Sequence, residues 1–198
     1  MSALAELCDE ILTCQDCELA RHRTNVVPGE GTEDANLFFI GEAPGWHEDQ
    51  QGRPFVGPAG QFLDQLLASV GLRREEVYIA NVIKCRPPQN REPLPEEIQA
   101  CRRWLDRQIE IIQPQMIVTL GRYSLARHFP NESISKIHGK PRKLEGIIYY
   151  PMYHPAAALH QGSLRPIIEA DMLKIPQILA KAKELPLEAA ESQQLSLF

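Results

Sequence analysis

The sequence predicts an α/β fold in three layers, with a parallel sheet of four strands between two layers of helices. Short apolar runs alternate along the chain with longer helical segments, which is typical of a parallel sheet covered on both faces. The chain has 198 residues, 43% of them hydrophobic, enough for one domain with a sizeable core. We expect a single domain over residues 1–185 and a flexible tail over 186–198.

The first half of the chain contains two of the four predicted strands. A short helix at 3–12 comes first, and the apolar run at 37–41 then predicts a buried strand. A helix follows at 59–70, and the apolar segment 77–82 predicts the second strand. The loop 84–93 comes next and is rich in prolines, which interrupt regular structure.

The second half begins with the clearest helix, at 95–112, where a proline suits the first turn. Its apolar residues recur at spacings of three and four and so share one face: Ile98, Cys101, Leu105, Ile109 and Ile112. The third strand is predicted at 116–120, with another helix starting in 121–129. The fourth strand is predicted at 147–152, and the final helix at 166–184.

The connection at 41–60 is the most informative stretch of the chain. It is about twenty residues long, where a few are usual. Connections at the carboxyl ends of parallel strands commonly hold the functional site of α/β folds. Its five glycines and three prolines favour rigid turns with close backbone approach, which suit a pocket for a flat ligand. We expect its Phe55 to be exposed.

Two further residues belong to the same edge of the predicted sheet. Asn81 ends the second strand, and His154 follows directly after the fourth. A histidine at this edge is suited to act as an acid or an electrophile. The alternative interpretation of His154 and Pro155 is a capped turn.

The five cysteines include one close pair, Cys14 and Cys17, followed by Cys85 and Cys101, with Cys8 left over. Disulfides are not expected in a reducing compartment. Four thiolates suit zinc or an iron–sulfur cluster, and the wide second spacing favours a cluster, since zinc sites usually use two tight pairs. The alternative is a set of buried cysteines without a metal.

Charge and hydropathy limit the partners. The net charge of −5 argues against nucleic acid as a partner. Residues 134–143, however, carry four cations and no acid, and a local basic face of this kind can bind phosphates. The alternative interpretation of this segment is a solvated loop. The chain contains no apolar run of about eighteen residues, and residues 1–6 do not resemble a signal peptide. We therefore expect no membrane partner and a cytoplasmic monomer.

Taken together, these residues resemble the family-4 uracil-DNA glycosylases, the iron–sulfur branch of that superfamily. The resemblance extends over roughly residues 10–180 and includes all four cysteines. Its motif segments are 41–45, 52–57, Asn81 in Ala-Asn-Val, 84–88 and 154–157. It implies a DNA base-excision repair enzyme that flips uracil out of the duplex and hydrolyses its N-glycosidic bond.

The resemblance also implies the ligands and the uracil pocket. A [4Fe–4S] cluster would be bound by Cys14, Cys17, Cys85 and Cys101. Uracil would be bound by Gly41, Glu42, Ala43, Phe55, Asn81 and His154. Phe55 would stack on the base, and Asn81 would pair with O4 and N3–H of uracil, leaving buried groups unpaired against cytosine. His154 would donate a hydrogen bond to O2 of the departing base.

The residue that positions the attacking water stays open between Glu42 and Glu48, because Ala43 stands where family-1 enzymes use an aspartate. Glu48 is alternatively a residue that excludes the methyl group of thymine. The resemblance places the DNA-strand contacts on Lys84, Arg86, Arg91, Lys136, Lys140 and Arg142. Leu159 or Leu164 would fill the gap that the flipped base leaves.

The chain ends with a segment that resembles the pentapeptide with which bacterial proteins bind the sliding clamp. Its polar anchor and apolar side chains are Gln194, Leu195, Leu197 and Phe198. A flexible tether of this kind suits a hydrophobic groove, and it would imply a bacterial origin. The alternative is docking of the last residues on the protein's own surface.

Three alternative functions remain at this point. One is a protein of the same fold that traps uracil-containing DNA without turnover, although residues 87–94 lack the inserted loop with a histidine that this subgroup carries. The second is a redox protein that uses the cluster for electron transfer. The third is a DNA-binding module stabilised by zinc.

Overall fold

The structure, a computed structural model, describes residues 2–182. Its strands in that range are β1 Glu30–Gly31, β2 Leu37–Gly41, β3 Tyr78–Asn81, β4 Met116–Leu120, β5 Arg142–Leu144 and β6 Ile147–Met152. Its α-helices are α1 Ala3–Leu12, α2 Trp46–Gln51, α3 Pro58–Ser69, α4 Pro95–Ile112, α5 Arg122–Ala126, α6 Ile134–Ile137, α7 Pro155–His160 and α8 Arg165–Ala180.

The sheet within these residues has six strands in the order β1-β3-β2-β4-β6-β5. Its four central strands are parallel, as predicted, and correspond to the four apolar runs of the sequence. The two edge strands are antiparallel and were not predicted. They are two and three residues long, too short to produce an alternation that a sequence pattern would reveal.

Helices cover both faces of the sheet, which confirms the three-layer α/β/α class. Successive residues of β2 point to opposite faces, so that Phe38 lies in one hydrophobic core and Phe39 in the other. The first core contains residues of α1 and α4, and the second contains residues of α3 and α8. All five residues of β2 are buried, as expected for a central parallel strand.

The predicted helices are found with small differences at their ends. Helix α4 spans the predicted residues 95–112, whereas α5 ends at Ala126 and α8 at Ala180, earlier than predicted. Within the part of the chain that is described, none of the helices combines the length and apolar character needed to cross a membrane. The predicted clamp segment at 194–198 lies outside the described residues.

The long 41–60 connection contains a helix that the sequence pattern did not reveal. Helix α2 begins after Gly45, whose N–H donates to the Glu48 carboxylate at 3.1 Å, and ends at Gly52, whose φ is +68°. Its six residues are mostly polar and carry no apolar periodicity. The connection begins at the carboxyl edge of the sheet, where Gly41 pairs with Asn81.

Candidate active site

A cavity of about 580 Å³ opens at the carboxyl edge of the sheet, a size suited to a small flat ligand. Four segments distant in sequence form it: the 41–60 connection, the end of β3, the loop before α4 and helix α7. Its lining residues include Glu42, Ala43, Gly45, Glu48, Phe55, Asn81, Asn90, Arg91, Glu92, His154 and His160. Five of the six predicted uracil-binding residues therefore line one cavity, and the sixth, Gly41, lies at the strand end next to it.

Asn81 and Phe55 approach Gly41, and His154 stacks against Phe55. The rings of Phe55 and His154 are stacked, with centroids 5.4 Å apart and planes at 24°. A Cβ atom at Gly41 would lie 2.4 Å from Oδ1 of Asn81 and 2.6 Å from Cζ of Phe55. Gly41 is thus the point at which the amide and the aromatic ring approach the same strand, and any side chain there would displace both.

Phe55 differs from the sequence prediction, because it is 5% exposed rather than solvent-facing. Its φ of +52° is unusual for a bulky residue. Two contacts hold this conformation: Nη1 of Arg74 donates to the Phe55 carbonyl at 2.9 Å, and Nη2 of Arg74 donates to the Pro54 carbonyl. Arg74 thus holds the backbone at Phe55, and the ring lies on the cavity wall against His154.

His154 caps the N-terminus of α7. Its Nδ1 accepts a hydrogen bond from the Ala156 N–H at 3.1 Å, which assigns the proton of the neutral ring to Nε2. Burial lowers the pKa of His154 to about 4, and the neighbouring Glu48 carboxylate opposes this only in part. The imidazole is therefore neutral at pH 7 and retains one N–H that is able to donate.

Glu48 and Glu42 have different surroundings. The Glu48 carboxylate accepts three backbone N–H groups: Oε1 accepts those of Val56 and Gly57, each at 2.9 Å, and Oε2 accepts that of Gly45 at 3.1 Å. This carboxylate closes the 41–60 connection and has its acceptor positions directed at the main chain.

The Glu42 carboxylate has no hydrogen-bond partner among residues 2–182, although the backbone carbonyl of this residue accepts the Ile83 N–H at 3.2 Å. Burial raises its pKa, and Arg122 counteracts that effect. The nearby Glu92 carboxylate is engaged by Arg122 and, at 2.7 Å, by the Tyr123 hydroxyl. Glu42 is therefore the pocket carboxylate that is free to bind a water molecule.

Lys84 corrects the predicted set of DNA contacts, because its side chain is 1% exposed and its ammonium binds acceptors inside the protein. Arg91 remains at the pocket mouth, with Nη2 donating to Glu97 at 2.6 Å. Arg86 also remains at the surface, where its Nε donates to Asn90 at 2.6 Å. The buried ammonium of Lys84 binds acceptors inside the protein and is not accessible to a phosphate of bound DNA.

The basic segment keeps its predicted position at the surface. Lys136 and Lys140 are exposed, and the Lys140 ammonium donates to the Lys136 carbonyl at 2.8 Å. Arg142 donates to Glu132 at 2.6 Å, and its guanidinium lies over the Phe129 ring. These groups do not line the cavity itself.

The two leucines proposed to fill the duplex gap are in different environments. Leu159 is 50% exposed on α7, close to the pocket residues Ala157 and His160. Leu164 is partly buried and packs against the second hydrophobic core. Leu159 is thus the more accessible of the two, and which leucine fills the gap stays a prediction.

Four of the five cysteines line a second, smaller cavity beside the first core: Cys14, Cys17, Cys85 and Cys101. Cys14 and Cys17 follow α1, Cys85 lies in the loop after β3, and Cys101 lies on α4. Among the described residues, no three Cys, His, Asp or Glu side chains are grouped as ligands of a single metal ion. Cys8 lies apart, with its sulfur 3.9 Å from the Tyr78 hydroxyl.

Three of these sulfurs accept hydrogen bonds from nitrogen donors. Trp104 Nε1 donates to Cys14 at 3.3 Å, Arg23 Nη1 to Cys85 at 3.2 Å, and the Lys84 N–H to Cys101 at 3.3 Å. Burial raises the pKa of Cys101 to about 12 and also raises those of Cys17 and Cys85. Without a bound metal, Cys17, Cys85 and Cys101 would be neutral thiols. A bound cationic group would stabilise thiolates here, and N–H donors to the sulfurs would support that charge.

Several residues of these two cavities were missed by the sequence interpretation. Asn90 lines the first cavity with a φ of +54°, and its place in a proline-rich loop was the one available signal. Nothing in the sequence pattern indicates that Arg23 and Trp104 reach the cysteines, because 62 and 90 residues separate them from their partners.

Known proteins share this sequence over most of its length. Residues 28–174 match the family model described as the Uracil DNA glycosylase superfamily. The chain is 46% identical to the type-4 uracil-DNA glycosylase of Sulfurisphaera tokodaii, covering 95% of this chain and 90% of that protein. It is also 46% identical to the type-4 enzyme of Thermotoga maritima, covering 87% and 93% of the two chains, and 38% identical to a type-5 enzyme of Thermus thermophilus over 50% of this chain and 52% of that one.

Proposed function

This chain belongs to the uracil-DNA glycosylase superfamily, and from that membership and the pocket geometry we propose how its residues remove uracil from DNA. The protein is a DNA-repair glycosylase, a hydrolase of the N-glycosyl bond, similar to type-4 enzymes. The observation that carries the mechanism is the convergence of Phe55, Asn81 and His154 on one cavity at Gly41.

The direct test is incubation with an oligonucleotide that contains one uracil, followed by alkaline cleavage at abasic sites. We expect cleavage at the uracil position and none in matched oligonucleotides with thymine or cytosine there. A stable protein–DNA adduct on a denaturing gel, without release of free uracil, would instead indicate a binding protein of the same fold.

Base recognition rests on Asn81 and Phe55. The Asn81 amide offers one donor and one acceptor, which complement O4 and N3–H of uracil. Cytosine presents the reverse pattern and would leave buried polar groups unpaired, a loss that disfavours its binding. Phe55, fixed by Arg74, supplies a preformed face on which the flipped base stacks.

Departure of the base requires stabilisation of the negative charge that develops on uracil O2. The bond between C1′ and N1 breaks, and its electron pair leaves with the base. The Nε2–H of His154 donates a hydrogen bond to that oxygen, because Nδ1 already accepts one from the Ala156 N–H. The low pKa of His154, about 4, means that a neutral imidazole performs this role at pH 7.

Glu42 positions the attacking water, and Glu48 serves as a scaffold. Water adds to C1′, and its proton passes to the Glu42 carboxylate, whose pKa is raised by burial and so favours proton acceptance. The negative charge of Glu42 also stabilises the cationic sugar. Glu48 is less suited to this role, because protonation of its carboxylate would weaken its hydrogen bonds to the three backbone N–H groups that hold the loop.

We propose that the cysteine cavity holds the [4Fe–4S] cluster that the family implies, because its four cysteines line one space and N–H donors reach three of their sulfurs. Cys14, Cys17, Cys85 and Cys101 would each hold one iron, and the N–H donors from Arg23, Lys84 and Trp104 suit sulfurs that carry negative charge. When bound, the cluster supplies a structural crosslink. It joins the segment after α1 to the loop after β3 and to α4.

We place the DNA on the surface around the pocket mouth. Arg91 lines the cavity, Arg86 bonds the lining residue Asn90, and the exposed Leu159 would fill the gap left by the flipped nucleotide. Lys136, Lys140 and Arg142 provide the more distant phosphate contacts. Phosphate contacts of this kind position the strand without reading its sequence.

Sliding-clamp binding through Gln194, Leu195, Leu197 and Phe198 is a separate proposal that rests on the sequence alone. Deletion of the last five residues should abolish capture by an immobilised bacterial clamp and leave activity on a short oligonucleotide intact. Clamp capture that survives the deletion would remove the proposal. We also propose a monomeric protein of the cytoplasm, which size-exclusion chromatography and cell fractionation would test.

A further inference from the structure

Lys84 is a buried cation whose position the mechanism above does not use. Its ammonium donates to the backbone carbonyl of Asn81 at 3.0 Å and to Oε1 of Gln108 at 2.7 Å. Within residues 2–182 it has no carboxylate partner. Moving a charge out of water costs several kcal/mol, so an ammonium retained here has a role that depends on these contacts.

The first contact closes a turn directly after the base-reading residue. Asn81 and Lys84 are three residues apart, and the ammonium folds back onto the Asn81 carbonyl. Between them, the Val82 N–H donates to the Gly41 carbonyl at 3.0 Å and the Ile83 N–H donates to the Glu42 carbonyl at 3.2 Å. The turn 81–84 is therefore tied to the strand end that carries both the pocket glycine and the free carboxylate.

The second contact fixes the ammonium against a rigid partner. Gln108 is buried on α4, and its Nε2 donates to the Pro28 carbonyl at 2.8 Å and to the Tyr78 hydroxyl at 3.0 Å. With its amide oriented by these two acceptors, Gln108 can present only its oxygen to Lys84.

The main chain of the same residue reaches the cysteine cavity. The Lys84 N–H donates to Sγ of Cys101 at 3.3 Å, and the next residue is Cys85. One residue therefore contacts Asn81 through its side chain and a predicted cluster ligand through its backbone. The two cavities described above are joined at this point.

We propose that Lys84 is a positioning residue that holds Asn81 in the orientation that reads uracil and connects it mechanically to the cysteine cavity. The proposal deepens the function proposed above and depends on it. Lys84 touches neither the substrate nor the reacting atoms, and its effect passes through Asn81.

A double-mutant cycle tests this transmission. Steady-state kcat and KM on a uracil-containing oligonucleotide are measured for the wild-type protein, Lys84→Met, Asn81→Ala and the double variant. Lys84→Met keeps an unbranched apolar stem and removes the donors. We expect it to lower kcat by about 10²-fold, as a misplaced recognition group would, with KM changed less than about threefold.

In the Asn81→Ala background the same Lys84→Met change should cost less than about threefold, because the group it positions is absent. Lys181→Met, at an exposed lysine just after α8, is the matched control and should retain the wild-type rate. Visible absorbance of the iron–sulfur cluster and Tm are recorded for every variant and should be retained in Lys84→Met.

Equal losses in the two backgrounds would overturn the proposal, and so would a raised KM with unchanged kcat, the result that a phosphate contact would give. If Lys84→Met fails to fold or to bind iron, Gln108→Leu removes the second acceptor of the ammonium, and the cycle with Asn81→Ala is judged by the same outcomes. If the wild-type protein releases no uracil, the proposed function fails; an additive cycle in an active protein refutes only the role of Lys84.

Discussion

The two cavities on either side of the turn 81–84 are stabilised by different means. The 41–60 connection is held by the protein's own groups, chiefly the Glu48 carboxylate on three backbone N–H groups and the Arg74 guanidinium on the carbonyls of Pro54 and Phe55. The cysteine region has sulfurs lining a common space, with N–H donors directed at them. Its rigidity is expected to depend on the group that the thiolates bind.

The ligand pocket is thus held in shape by hydrogen bonds within the protein, whereas the cysteine region is expected to be held by the group that its thiolates bind. Changes to pocket residues that face the ligand should affect the rate while leaving the fold intact. Changes to the cysteines should affect stability first and activity as a consequence. The variants that follow test whether rate and stability change independently in the two regions.

The largest expected effect is the loss of the His154 donor. His154→Ala should lower kcat by about 10²–10³-fold, the usual cost of removing one preorganised donor to a developing anion. Its Tm should fall only slightly, because the residue lies at the end of the six-residue helix α7. The measurement is a single-turnover rate together with a thermal melt, and a rate close to wild type would exclude His154 from stabilising the leaving group.

The two glutamates divide the pocket into a reacting group and a scaffold. Glu42→Gln should lower kcat by about 10²-fold, within the range for loss of a general base, with Tm unchanged. Glu48→Gln places an amide NH₂ against backbone donors and should lower Tm as well as activity. Comparison of kcat and Tm for the pair decides the assignment, and the opposite pattern would exchange their roles.

Cysteine variants examine the other region. Cys101→Ser should remove the visible absorbance and iron content and lower Tm, whereas Cys8→Ala should change none of these, since its sulfur lies outside the cavity that the four other cysteines line. Iron analysis of the purified proteins provides the readout. Zinc in place of iron would support the zinc-stabilised alternative, and full thermal stability of metal-free Cys101→Ser would show that the region does not depend on its bound group.

The smallest expected effect concerns pH and stability. The pKa of His154 is lowered to about 4 in the folded protein, below its ordinary value of about 6.5, so the unfolded chain binds more protons between these values. The contribution of neutral His154 to stability is therefore present above about pH 6.5 and is lost as the pH falls toward 4. His154→Gln should show a weaker decline of Tm over this interval, and identical declines in both proteins would contradict the lowered pKa.

Much of the fold was accessible from the sequence because its signals are local. The apolar runs at 37–41 and 116–120 have the predicted strand bounds, and the spacing of apolar residues in 95–112 matches helix α4. The edge strands and helix α2 were missed because segments of two to six residues, mostly polar, produce no readable period.

The residues expected around the base were identified from the motif order, and their meeting at one edge follows from parallel strands ending on the same side. Their individual states were not accessible. Phe55 was expected to be exposed and is buried, and Lys84 was expected on the DNA surface and lies in the interior. Both depend on partners far along the chain, Arg74 for the first and Gln108 for the second.

The sequence by itself determined the strand and helix pattern, the family and the set of side chains that bear the chemistry, because hydrophobic period and motif order are properties of neighbouring residues. Only the tertiary structure decided that the Glu42 carboxylate has no partner in the described part of the chain, which ring nitrogen of His154 carries the proton and that the Lys84 side chain is buried. Those choices depend on burial and on hydrogen bonds between segments separated by tens of residues. Desolvation and hydrogen bonding depend on which groups are close in space, and the local sequence pattern does not reveal that for distant segments.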